Sequence, residues 1–157
     1  MQTRAMAAVG LCAGLAVAGG AAAGPIDDLT GYWTGTGTVV LAGGDKEQVK
    51  CAVVYKVSAG GGQIRQSMRC ASADYRIDAA AVLRIDGGHV SGNWEERTYS
   101  ATGEITGRYT GSSLALSIQG AGFTASMSVG LGGCRQSISI APKGLEVRRV
   151  SITLAKC

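Results

Sequence analysis

Histidine occurs once in these 157 residues, phenylalanine once and proline twice. A single histidine among scattered cysteines gives no paired spacing for a metal. No nucleophile elbow, phosphate-cradling loop or Ser–His–Asp order is present either. The sequence therefore predicts no metal, no cofactor and no enzyme. Aromatic residues make up only 5%, too few for the two girdles of a membrane-spanning β-barrel. Nucleic-acid binding is also excluded, because exposed aromatics interleaved with basic residues are missing. Helical periodicity is absent, and no low-complexity run marks a linker.

What is present begins with a leader. Arg4 precedes a small and apolar run from Ala5 to Ala18, and Ala21-Ala22-Ala23 offers a cleavage site before Gly24. This is the order of a secretory signal. It predicts removal of residues 1–23, a single domain over 24–157, a periplasmic or secreted location, and no transmembrane span in the mature form. Lipidation at Cys12 is excluded, since Leu11 precedes it and it lies inside the apolar run. Cys51, Cys70, Cys134 and Cys157 remain, and an even set in an exported chain reads as two disulfides.

Beyond Pro25, alternating segments are separated by glycine-rich turns, as in antiparallel strands. Closing the loop Ala59–Gly62 sets Val57 against Ile64 and Val53 against Met68. The same register sets Cys51 across from Cys70, near enough for a bridge. A turn at Asp86-Gly87 sets Leu83 against Val90 and Ala79 against Trp94. The loop Ser100–Gly103 then sets Trp94 against Tyr109, Thr98 against Ile105 and Glu95 against Arg108. Gly111-Ser112 pairs Tyr109 with Leu114 and Ile105 with Ile118. Gly120-Ala121 pairs Ile118 with Phe123, and Gly132-Gly133 pairs Leu131 with Cys134. The last segment sets Val150 and Ile152 against Ile140 and Ile138, with a bulge expected near Arg148-Arg149, where the parity breaks. Elimination leaves Cys157 for Cys134. The first strand, Gly31–Leu41, pairs with Gln48–Ser58.

These registers predict an all-β, antiparallel up-and-down meander of about ten strands closing into a barrel. A two-sheet sandwich is the alternative. The inward face carries Trp33, Tyr55, Tyr75, Trp94 and Tyr109, with Gln66, Gln136 and Glu96 among many small residues. Trp33, Tyr55, Gln66, Tyr75, Trp94, Glu96 and Tyr109 are the candidate lining of a partly polar ligand cavity. The competing reading is a flattened barrel whose glycines permit tight coiling, with Glu96 held by a lysine or a tyrosine hydroxyl. His89 is read as a solvated strand-end residue rather than a haem ligand or base.

Gly31-Tyr32-Trp33 resembles the opening of the calycins, the lipocalin and avidin-like barrels that bind small ligands. The resemblance implies that Trp33 packs against a basic residue at the end of the last strand. Lys156 stands there with inward parity, so a Lys156–Trp33 contact is expected.

The outward face carries Lys50, Lys56, Arg65, Arg69, Arg76, Arg84, Arg97 and Arg108, either a solvated face or one suited to an anionic envelope component. Ser117, Thr124, Ser126, Ser128, Ser137, Ser139, Ser151 and Thr153 form an almost uncharged face. That face either tolerates solvent or mediates homo-oligomer formation. The leading functional expectation is an exported, soluble, non-enzymatic barrel taking a small-molecule, lipid-like or amphipathic ligand inside. The rival is an envelope protein-binding or inhibitor barrel acting through protruding loops, with Ala42–Glu47 and Ala141–Arg149 the longest candidates.

Overall fold

The computed structural model describes residues 26–157. The leader expected over residues 1–23, Cys12 included, lies outside the described residues. Ten antiparallel strands follow a short 3-10 turn, Asp27–Leu29. They are β1 (Gly31–Leu41), β2 (Lys46–Val57), β3 (Gln63–Ala71), β4 (Arg76–Asp86), β5 (His89–Glu96), β6 (Ala101–Tyr109), β7 (Ser113–Gly120), β8 (Phe123–Gly132), β9 (Arg135–Lys143) and β10 (Val147–Ala155). Each pairs with the next, and β10 pairs with β1 to close the ring. Closure leaves no free edge to template aggregation, and it rules out the two-sheet sandwich.

Several expected registers hold without change. Cys51 faces Cys70 and the two form a disulfide with Cα atoms 4.1 Å apart. Tyr109 faces Leu114, and Val150 and Ile152 face Ile140 and Ile138. Cys134 bonds to Cys157. Val40 opposes Arg149 whereas Leu41 opposes Val147, so Arg148 is the bulged residue.

Four hairpins sit elsewhere along the chain. The β4–β5 turn is Gly87-Gly88, both with positive φ, which moves Trp94 from Ala79 to Ala81. A turn needing positive φ at both central residues is better served by two glycines than by Asp86-Gly87. The β7–β8 and β8–β9 registers each move by one residue pair, setting Ile118 against Ala125 and Leu131 against Gln136. Positive φ at Gly122 and Gly133 sets both turns. The largest shift is between β5 and β6, where β5 stops at Glu96 and the turn occupies 97–100. Trp94 therefore faces Gly103 rather than Tyr109, Gly92 faces Ile105, and Glu95 faces Thr102 rather than Arg108. Ser100, with φ of 55°, completes that turn and is the described non-glycine residue with positive φ. Every shift is by an even number of residues, so the inward face is unchanged.

Inward glycines cluster on β1 and, half-way round the ring, on β5 and β6. A Cβ placed on Gly35 would lie 1.9 Å from Thr153 O, and one on Gly92 2.1 Å from Val82 O. No side chain fits there unless the facing backbone shifts.

Candidate functional site

The two ends of the barrel differ. At one end the 3-10 turn tucks Ile26 and Leu29 under the first strand. The Trp33 indole, 1% exposed, donates from Nε1 to Leu29 O at 2.7 Å. Lys156 lays its ammonium 5.1 Å from the Trp33 ring centroid and donates to the carbonyls of Asp28 and Thr30. The expected Lys156–Trp33 contact is therefore present, and it ties the last strand to the first by a cation–π interaction. The Cys134–Cys157 bond holds that chain end beside the β8–β9 turn. Together these groups cover the Trp33 side of this end, while Val57, Ile85, Tyr109 and Leu131 around the rest of it are only partly buried.

Just inside this cover lies a polar chain. Tyr55 meets Trp33 edge-on, with centroids 6.5 Å apart, and its hydroxyl donates to Gln136 Oε1 at 3.0 Å. Gln66 faces Tyr55 across the β2–β3 pair. Burial pushes the Tyr55 phenol up to about 12, against the smaller opposing pull of the Gln136 and Gln66 side chains. The group therefore stays neutral at physiological pH. Gln136, only 2% exposed, leaves its Nε2 without a partner. A buried donor left unmade costs roughly 1–3 kcal/mol.

Towards the other end the burial pattern changes abruptly. Leu116, Val129, Ile138 and Ile152 are buried. One inward position further along the same strands, Ile118, Met127, Ile140 and Val150 are only partly covered, and so are Val39, Met68, Ile77 and Trp94 across the ring. These side chains point inward and are partly exposed, so this end is the more open, apolar mouth of the barrel. The connections around its rim are short turns: 42–45, 72–75, 97–100, 121–122 and 144–146.

One wall of the mouth is built on bare backbone. Gly103 on β6 faces Gly120 on β7, and flanking aromatics lie over both. A Cβ on Gly103 would approach Trp94 Nε1 to 2.7 Å, and one on Gly120 would approach the Phe123 ring to 2.3 Å. The Trp94 indole crosses Gly103 to donate to Gln119 O at 3.0 Å, and its ring lies 5.7 Å from that of Phe123. Phe123 is not among the expected lining residues, although the expected pairing with Ile118 also turned it inward. The signal that could have found it is its position beside Gly120 and Gly122, where an aromatic side chain can cover an empty strand site.

The expected lining residues fall into four places. Trp33 and Tyr55 belong to the covered end, with Gln66 beside Tyr55. Trp94 alone stands in the wall of the mouth. Tyr109 lies at the covered end and donates its hydroxyl to Gly111 O at 3.2 Å. Tyr75 is a correction: β4 starts at Arg76, so Tyr75 sits in the 72–75 turn, where strand parity does not apply, and is 46% exposed. Glu96 is buried, but neither a lysine nor a tyrosine hydroxyl holds it. Its carboxylate accepts the backbone N–H groups of Asp78, Thr98 and Tyr99. Burial opposes its ionisation, but these hydrogen bonds outweigh it, and the pKa lies below the usual glutamate value. His89 is outward and exposed, opposite Asp86 on one side and Arg108 on the other.

No family model matches this sequence, and no curated protein does. Solved structures match through the fold. A TM-score of 0.67 relates the chain to Rv2717c from M. tuberculosis at 16% identity, over 84% of this chain and 94% of that one. The S-type phycobiliprotein lyase CPES from Guillardia theta gives 0.60 at 15% identity, over 84% and 90%. A protein of unknown function from the DUF3598 family of Nostoc punctiforme PCC 73102 gives 0.61 at 16% identity, and this chain spans 48% of its length. What they share with this chain is the ten-stranded antiparallel barrel. At such identities the likeness is one of fold alone.

Proposed function

We propose that this protein is an exported, non-enzymatic barrel that holds a small apolar or amphipathic molecule at its more open end. The observation that carries the reading is the step in burial along β7, β8, β9 and β10. Val129, Ile138 and Ile152 are buried, while Met127, Ile140 and Val150 are partly exposed inside the ring. Eight inward apolar side chains are half-covered at this end, against Val57, Ile85, Tyr109 and Leu131 at the other, so the barrel is the more open here. A half-covered apolar lining at one rim, over a packed centre, is where such a barrel would take a small molecule. Two disulfides support an oxidising compartment. The Gly31-Tyr32-Trp33 opening with Lys156 over Trp33 supports a calycin-like reading, and a phycobiliprotein lyase shows the same fold at work in a protein named for a reaction.

The protein-binding rival needs a rigid protruding loop. Most of Ala42–Glu47 and Ala141–Arg149 is taken up by strand ends, leaving the turns 42–45 and 144–146. A catalytic reading would need a free acid or base in the mouth, and the Glu96 carboxylate is occupied by three backbone donors.

The test is native mass spectrometry on protein taken from its oxidising compartment, followed by titration with N-phenylnaphthylamine, a neutral apolar fluorophore. The expected result is an adduct lost on denaturation and saturable fluorophore binding. Trp94→Ala should weaken that binding by about tenfold, as removal of a large aromatic contact does, while Arg84→Ala leaves it unchanged. Equal effects of the two substitutions, or no saturable binding, would overturn the reading.

A further inference from the structure

The outer surface of the barrel divides by charge. On β8 to β10 the exposed outward positions hold Ser126, Ser128, Ser137, Ser139, Ser151 and Thr153, with no charge between them. On β2 to β4 the outward face carries Lys50, Lys56, Arg65, Arg69, Arg76 and Arg84 against Asp78 and Asp86. The whole chain has a formal net charge of only +4, so its positive excess is gathered on this one face. Solubility calls for both signs interspersed. A concentrated field draws an oppositely charged partner.

The centre of the face is a cross-strand cluster of cations. Lys56 faces Arg65 directly, and Arg84 on β4 is the diagonal neighbour of Arg65. None of the three forms an ion pair among the described residues. Asp78 and Glu95 are held instead by Arg69 and Arg97. Like charges directly opposite destabilise a sheet, so the face carries a repulsion that a bound anion would relieve.

The neighbours of these cations define the anion. Tyr32, 62% exposed, faces Val54, 38% exposed, beside Lys56 on the same side of β2. Val82, 40% exposed, lies opposite Arg65. A soluble polyanion gives these apolar groups no place to go. At a lipid surface tyrosine and valine reach the acyl boundary while lysine and arginine meet the phosphates.

We infer that the outward face of β2 to β4, with Tyr32 of β1, docks on the surface of an anionic bilayer. Lys56, Arg65 and Arg84 meet headgroup phosphates, and Tyr32, Val54 and Val82 enter the layer just beneath. The docking is peripheral and independent of any ligand inside the barrel.

Co-sedimentation of the disulfide-bonded protein with vesicles at low salt tests this. Equimolar phosphatidylcholine and phosphatidylglycerol should carry the protein down, and phosphatidylcholine alone should not. Lys56→Gln, Arg65→Gln and Arg84→Gln together should weaken partitioning about a hundredfold, about fivefold for each cation. That variant should be no less stable to denaturant, because it removes a repulsion. Arg108→Gln, Arg135→Gln and Lys143→Gln remove equal charge from β6 and β9, and should weaken partitioning by less than about tenfold. Tyr32→Ser with Val82→Thr should weaken it about tenfold, through lost apolar contact. No partitioning onto the mixed vesicles would overturn the inference. So would equal losses from the two charge variants, since net charge alone would then act. Unchanged partitioning of the Tyr32→Ser, Val82→Thr protein would assign the face to a polyanion of another class. A dimer formed without lipid and dissolved by the first variant would assign it to a second copy of the chain, and the bilayer would again be excluded.

Discussion

Glu96 closes β5 by turning its carboxylate back over the 97–100 turn, where Thr98 and Tyr99 donate to it, while Asp78 donates from β4. Its pKa is lowered in the fold, so the stability it adds is present above the unfolded glutamate value and is lost as pH falls through the folded one. Glu96→Gln should cost about 1–3 kcal/mol at neutral pH, the range for hydrogen bonds to a charged acceptor. It should also flatten the loss of stability on acidification, measured by chemical denaturation across the acid range. Tyr55 acts at the opposite end of the scale. Its folded pKa of about 12 exceeds the usual phenol value of 10.0, so its contribution is intact below pH 10 and disappears as pH rises towards 12. A difference of that size corresponds to about 3 kcal/mol. Melting curves at pH 9 and 11 should show a steeper alkaline loss in the unaltered protein than in Tyr55→Phe. Equal slopes would mean that the phenol ionises in the folded state as easily as in the unfolded one.

Strands and turns were legible to different degrees. The faces of the strands followed from period-two alternation alone, because an even error in register leaves every side chain on its own side. The same insensitivity hid the true registers of four hairpins. Asp86-Gly87 and Gly87-Gly88 both close a tight turn, and hydrophobic pattern cannot choose between them. The β5–β6 turn was less visible still, since Arg97–Ser100 holds no glycine and depends on the Glu96 carboxylate to order its backbone. Cysteine positions and the Arg148 bulge were readable because each broke or fixed parity. Removing the β2–β3 crosslink with Cys51→Ala and Cys70→Ala should therefore cost about 2–4 kcal/mol by denaturant unfolding, with the hairpin register kept. On β6 the decisive constraint is space. In Gly103→Val the new Cβ would lie 1.8 Å from Gln119 O and 2.7 Å from Trp94 Nε1. That substitution should lower the melting temperature by ten degrees or more on the basis of roughly 2–4 kcal/mol of overpacking and backbone strain, and should shift Trp94 fluorescence. An unchanged spectrum would mean that Trp94 does not lie across the glycine.

At the scale of the whole molecule, inside and outside were legible, but the difference between the two ends was not. Strands in a closed barrel are staggered, so a row of facing residues drifts along the axis. Such a row leads from Tyr55 through Gln66, Ala81, Trp94, Gly103 and Gly120 to Phe123. It starts at the covered end and finishes at the more open rim. The sequence placed Tyr55 and Trp94 on one face; only the stagger shows that they stand towards opposite ends. The pairing of β1 with β10 has a consequence of another kind. Every strand has two neighbours, and Lys156 bonds to the backbone at Asp28 and Thr30. The ring therefore has no privileged starting point. A circular permutant that joins residue 157 to residue 26 through a short glycine linker and begins at Gly88 keeps every strand pair. Its order of synthesis would change, but its architecture would not.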